Sequence, residues 1–256
     1  MEAIQSFEVM GGHATVFTHR SPEKQTANED CIALIPYDRD TGILVIADGL
    51  GGLPSGHTAS HTAVQSLLDA IRTAREQGVS LREAILDGFE HANKAILDNA
   101  SGSATTLAVC EIQASRIRPF HVGDSMILLT GQRGRMKIQS VAHSPIGYAV
   151  ESGLLDIDEA VHHEERHLIS NVVGAKDMRI EIGAARKMAM RDTLLIASDG
   201  LFDNLYVDEI VEIIRKGKLE DAAQKLLQLA RQRMLSPEEG QPNHPDDLSF
   251  ILFRKT

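Results

Sequence analysis

Four times in this 256-residue chain an aspartate sits against an apolar, strand-like run, with glycine, serine or a second acid beside it: Ile43–Asp48-Gly49, His121–Asp124, Leu194–Asp199-Gly200 and Pro245–Asp247. One Asp-Gly pair alone is most often a turn. Repetition changes the reading, because neighbouring strands of a sheet end side by side and acids distant in sequence can then meet at one place. Glycine beside such an acid lets a backbone carbonyl approach the same point closely. The pattern therefore constrains the chain to a sheet protein whose strand ends carry a candidate cation site.

The rest of the chain supplies the sheets. Short β-rich runs recur at Cys31–Pro36, Gly42–Ala47, Thr105–Ile112, Ile117–Val122, Met126–Thr130, Met136–Val141, Thr193–Ala197 and Leu248–Phe253. Helical spacing marks Val64, Leu67, Leu68 and Ile71, then Leu81, Ile85, Phe89, Ala92 and Ile96, and later Leu219, Ala222, Ala223, Leu226 and Ala230 after a short helix around Asp208–Ile214. Brief links such as GDS (Gly123–Ser125) and GQRG (Gly131–Gly134) predict antiparallel meanders. The expected class is α+β, with antiparallel sheets and helices outside them. With no repeat, low-complexity tract or linker, residues 1–256 read as one domain, and the polar, irregular stretch from His143 to His167 reads as a flap over a site.

Charge and cysteine content narrow the function. A net charge of -10 with no basic block argues against nucleic-acid or anionic-membrane partners, and no window approaches the apolar length of a membrane span. Cys31 and Cys110 both lie in apolar stretches, which predicts reduced, buried thiols in a cytoplasmic protein. The N-terminal segment MEAIQSFEVMGG has neither a basic region nor a long apolar run, so no targeting or anchoring is expected.

In order and spacing, Asn28-Glu29-Asp30, Ala47-Asp48-Gly49-Leu50-Gly51-Gly52, Val122-Gly123-Asp124-Ser125, Ser198-Asp199-Gly200-Leu201-Phe202-Asp203 and Asp246-Asp247-Leu248-Ser249 resemble the successive motifs of the protein phosphatase 2C family, of bacterial type. Gly102–Thr106 and Ala142-His143-Ser144 are similar to further landmarks of that family. The resemblance covers nearly the whole chain. It implies a four-layer αββα sandwich of two mainly antiparallel sheets, and a protein serine/threonine phosphatase acting through water activated by two divalent cations. It further implies that Asp48 bridges both cations, the Gly49 carbonyl binds one, and Asp199 and Asp246 complete the other. Glu29 and Asp30 would orient metal-held waters, and Asp124 would hold a third, looser ion. Asp203 and Asp247 are expected to cap the following turn and brace the loop. Oxygen-only ligands point to Mn²⁺ or Mg²⁺. The implied partners are a phosphorylated protein and the serine/threonine kinase that opposes this enzyme.

Two positions depart from the family pattern. Gln25 stands where members usually carry a phosphate-gripping arginine, leaving Lys24 and Arg20 as candidate phosphate-binding cations. Leu50 stands where some, notably eukaryotic, members carry a histidine. The first departure keeps open a pseudophosphatase that binds phosphoprotein without turnover, and a small-molecule phosphatase is a further alternative. A remote rival comes from His163-Glu164-Glu165-Arg166-His167, which matches H-E-x-x-H and would make a zinc peptidase if it lay on a long helix with a third ligand, Glu181 being the nearest downstream acid of interest.

Overall fold

The computed structural model describes residues 3–22, 24–50, 55–99 and 102–256. Strands β1 (Gln5–Val9), β2 (Gly12–His19), β3 (Asp30–Pro36) and β4 (Thr41–Leu50) lead into helices α1 (Ser55–Gln77) and α2 (Leu81–Asp98). Next come β5 (Ala104–Thr105), β6 (Leu107–Gln113), β7 (Arg116–Val122), β8 (Met126–Thr130) and β9 (Met136–Gln139), then α3 (Pro145–Glu151) and α4 (Ile157–Ala160). The chain closes through β10 (Glu181–Ile182), β11 (Arg186–Lys187), β12 (Thr193–Ala197), α5 (Asp199–Phe202), α6 (Val207–Ile214), α7 (Leu219–Leu235) and β13 (Leu248–Lys255).

Two antiparallel sheets result, ordered β1-β2-β13-β12-β8-β9 and β10-β7-β6-β4-β3. Alternation along each central strand explains the layering, since successive side chains point to opposite faces. On β4, Leu44 and Ile46 face the other sheet, where they meet Ile196, Ile251 and Phe253. Ile43, Val45 and Ala47 face outward onto Leu67, Ile85 and Phe89 of α1 and α2. On β12 and β13, Leu195, Phe250 and Leu252 face Ile210, Leu226 and Ala230 of α6 and α7. These three cores make the expected helix-sheet-sheet-helix sandwich. Helix α2 starts at a capping box, with Ser80 and Glu83 each satisfying the other's backbone N–H.

Several expectations change in detail. GQRG is a hairpin turn between β8 and β9, but GDS is not, because it carries the chain from β7 in one sheet to β8 in the other. The run Thr105–Ile112 breaks into β5 and β6, because Thr106 between them turns its N–H and hydroxyl onto the backbone of Asp48. Met136–Val141 ends its pairing early, Ser140 Oγ instead accepting from Ile127 N at 2.8 Å. Strands β1 and β2 were not anticipated. They form a hairpin about Met10 and Gly11, both at positive φ (53° and 64°), and only β2 is buried.

Candidate active site

Antiparallel pairing places the acids. Asp30 opens β3 in register with Asp48 near the end of β4. Ala197, just before Asp199, pairs with Phe250 of β13, which the pair Asp246-Asp247 precedes, and also with Met126, just after Asp124. Strand ends and strand starts therefore alternate along one edge of the sandwich, and the inter-sheet GDS link crosses that edge. All the aspartates expected at the site meet there. Each of Asp48 and Asp199 lies within electrostatic reach of Asp30, Asp124 and Asp246.

The local backbone is built for this approach. A Cβ on Gly49 would lie 2.1 Å from the carbonyl oxygen of Gly56, so only glycine lets the end of β4 rest on the first turn of α1. The Gly51-Gly52 part of that motif lies outside the described residues. Asp48 is held through its backbone, its N–H donating to Thr106 Oγ1 at 3.0 Å and its carbonyl accepting from Thr105 Oγ1 and Thr106 N, both at 2.8 Å. No hydrogen bond is thereby taken from its carboxylate.

A second tier braces the first. Asp247 accepts from Ser21 N, Glu29 N and Lys24 Nζ, each at 2.7 Å. Lys24 Nζ also donates to Glu29 Oε2 at 2.6 Å. Burial alone would lower the lysine pKa, but Asp247 and Glu29 outweigh it and hold the ammonium charged. Ser198 Oγ donates to Asp30 Oδ2 at 2.8 Å. Asp247 thus braces the loop as expected but caps no helix, since β13 follows it. Asp203 likewise starts no helix: it ends α5 and pairs with Arg166, while α6 begins at Val207 behind its N-cap Tyr206. Arg20 is exposed and, among the described residues, its side chain reaches the carbonyls of Gln25 and Thr26, at 3.4 Å each.

The electrostatics of the cluster are unfavourable as it stands. Burial, then mutual repulsion, pushes Asp48 and Asp199 well above the usual carboxylate range. Asp124 is raised to about 7 by burial and by Asp203 and Asp246. Asp30 is also raised to about 7, chiefly by burial, against the hydrogen bonds of Ser249 and Ser198. Burial raises Asp246 and Asp203 too, opposed by His244 and Lys24 at the first and by Arg166 at the second. Glu29 Oε1, Asp30 Oδ1, Asp124 Oδ1 and Asp199 Oδ1 are buried oxygens with no hydrogen-bond partner among the described residues. Buried oxygens of this kind are costly unless something cationic meets them. Oxygen-only donors, crowded negative charge and a close-approaching glycine backbone together fit a hard divalent cation.

Beside the acids lies a cavity of about 340 Å³, lined by Asp124, Asp199 and Arg166 and by apolar residues including Met126, Ile146, Val150 and Phe202. Helices α3 and α4 of the polar stretch form one wall of it. The H-E-x-x-H match does not make a zinc site, because residues 161–170 form turns and bends rather than a helix, and His163 Nδ1 is engaged by Glu165 N. Its arginine is what the site uses: Arg166 donates to Asp203 Oδ2 and Asn243 O, both at 3.2 Å. Sequence reasoning missed Arg166 and also Asn204, whose amide ties Gly200 O to His244 on the next acid loop. A lone Arg or Asn carries no spacing signal.

Comparison with known proteins agrees with this geometry. Residues 19–238 match the family model of protein phosphatase 2C. A protein phosphatase 2C-type protein of Streptococcus pyogenes is 29% identical over 220 residues, covering 82% of this chain and 88% of that protein. The structure of the serine/threonine phosphatase Stp1 from Staphylococcus aureus superposes with a TM-score of 0.77 at 26% identity, over 95% of this chain and 94% of that one. The catalytic domain of the phosphatase PstP, solved in complex with two manganese ions, superposes with a TM-score of 0.71 at 22% identity, over 94% and 96%. The chain belongs to the protein phosphatase 2C family.

Proposed function

We propose that this protein is a serine/threonine phosphatase that hydrolyses phosphoproteins, with Asp48, the Gly49 carbonyl, Asp199 and Asp246 holding two divalent cations and Asp124 holding a third. The observation that carries the reading is the set of half-buried to buried, mutually repelling carboxylates at one edge of the sandwich, with buried oxygens that have no partner among the described residues. A fold has no use for such a set without cations. Mn²⁺ and Mg²⁺ suit oxygen-only donors, and manganese is the ion bound by the similar PstP domain. Bound there, such ions would supply acidified water and neutralisation of charge on the phosphoryl oxygens.

The chain's own residues supply the rest. Glu29 and Asp30, behind the acids, present oxygens that can orient water, and Asp247 holds both loops at fixed spacing. Lys24 takes the place of the arginine missing at Gln25: its ammonium lies among Glu29, Asp247 and Asp246, at the edge of the acid cluster. Arg166 offers a second cation in the adjoining cavity, and Arg20 serves the outer loop. The apolar wall of the cavity suits the flank of a peptide better than a small polar ester, which favours phosphoprotein over free phosphometabolite. A kinase that phosphorylates serine or threonine must supply that substrate. Residues 1–256 act as one catalytic domain with the stretch 143–167 as its flap. The free thiols of Cys31 and Cys110 fit a reducing, cytoplasmic setting, and among the described residues no helix is long and apolar enough to cross a membrane.

Hydrolysis of p-nitrophenyl phosphate and of a phosphothreonine peptide tests this with Mn²⁺, Mg²⁺, Zn²⁺ or EDTA. Turnover restored by Mn²⁺ or Mg²⁺ and abolished by EDTA is expected. Phosphate release absent under every metal, with Mn²⁺ still bound, would instead leave a phosphoprotein-binding pseudophosphatase.

A further inference from the structure

His121, His143 and Glu181 bring ligand atoms within 4.8 Å of one another, with both histidines buried. The grouping has the composition of a transition-metal site, yet its hydrogen bonds forbid that use. His143 Nδ1 faces two donors, Gly123 N at 3.1 Å and Asn171 Nδ2 at 2.9 Å. The Asn171 amide cannot be turned to offer its oxygen, because Oδ1 already accepts from Arg179 N at 3.0 Å and Nδ2 donates to Arg179 O at 2.7 Å. The Nδ1 lone pair is therefore committed and the ring proton sits on Nε2, donated to Glu181 Oε2 at 3.1 Å. His121 likewise gives its Nε2 proton to Val141 O at 2.8 Å and stacks on His143 with ring centroids 4.4 Å apart. No lone pair of His143 is left for an ion.

The same bonds assign a different task. Gly123 has φ +101°, and a Cβ there would come within 2.7 Å of the Thr106 side chain, so the turn that presents Asp124 depends on a conformation only glycine holds. His143 grips this turn from both sides: Gly123 N donates to its ring and its own N donates to Gly123 O at 3.0 Å. Its carbonyl accepts Ser170 N at 2.8 Å and Ser170 Oγ at 2.9 Å, which closes the base of the flap. We infer that His143 is a positioning residue, whose Nδ1 lone pair fixes the Gly123–Asp124 turn and couples it to the flap, with Glu181 holding the required tautomer. The functional half rests on the reading of Asp124 as a cation-holding acid; the structural half does not.

Replacement tests the acceptor itself. Asparagine places an oxygen near the Nδ1 position, whereas glutamine places its amide near Nε2. In metal-free His143→Gln the Gly123 amide should exchange with solvent at least tenfold faster. Turnover should need at least tenfold more Mn²⁺, with KM for a phosphopeptide changed less than threefold. His143→Asn should stay within threefold of the parent in all three. Equal damage in both variants, or none in His143→Gln, overturns the inference. If neither variant folds, the ring ¹⁵N shifts of the unaltered protein decide: an Nε2–H tautomer supports the assignment, and an Nδ1–H tautomer overturns it. A parent protein that takes up no Mn²⁺ would defeat the proposed function, while Gly123 exchange would still judge the strut.

Discussion

At the residue scale the site is a set of charges the protein tolerates for the sake of a cation. Asp199 is half-buried with one oxygen that has no partner among the described residues, so Asp199→Asn removes repulsion as well as a proposed ligand. Cation-dependent turnover should fall by roughly a hundredfold or more, the order of loss seen when one electrostatic group of a catalytic site is removed. The EDTA-treated variant should melt no lower than the parent, which differential scanning calorimetry checks. Titration has a definite sign too. Asp30 and Asp124 are raised to about 7 in the folded chain, so the folded state holds more protons than the unfolded one between about pH 4 and 7. In EDTA, stability should therefore fall as pH rises across that window, Asp48 and Asp199 adding to the fall in the same direction. Saturating Mn²⁺ should reverse the slope, because the cation favours the charged carboxylates. The acids were legible in sequence because each sits against an apolar run with glycine, serine or a second acid beside it. Arg166 and His143 were legible only as members of other patterns and Asn204 not at all, because a hydrogen-bond partner far along the chain leaves no local trace.

At the element scale the decisive junction is the end of β4 on the start of α1. Gly49→Ala forces a Cβ to 2.1 Å from Gly56 O, and overpacking of that kind costs about 2 kcal/mol. The midpoint of urea unfolding should fall accordingly, and turnover should fall with it, because Asp48 moves with the strand. The flap is the opposite case. Between Glu151 and Arg166 its side chains are largely exposed, Leu154 at 84%, so limited proteolysis should nick this stretch before any sheet strand, as mass spectrometry of the first fragments would show. Most strands and the long helices were readable because their apolar periods are unambiguous. The edge hairpin β1–β2 was not, since β1 buries almost nothing and its turn rests on Met10, a residue that does not advertise positive φ. GDS was misread as a hairpin because three residues can cross between sheets as easily as within one.

Across the whole molecule, antiparallel pairing puts starts of some strands and ends of others on one edge, and the two sheets bring their edges together. That is why motifs spread from Asn28 to Ser249 form one cluster. The order of the motifs was visible in sequence, but which sheet each acid belongs to was not, because that follows from the inter-sheet crossing at Asp124. The proposed role of this edge is to hold divalent cations for hydrolysis. Its most direct test is the number of Mn²⁺ ions bound per chain, measured by isothermal titration calorimetry on metal-free protein, with turnover followed in the same samples. At least two ions are predicted for the parent and at least one fewer for Asp199→Asn, whose turnover should be lost while its cooperative unfolding is kept. Full turnover without bound cation, or unchanged Mn²⁺ binding and activity in Asp199→Asn, would contradict it.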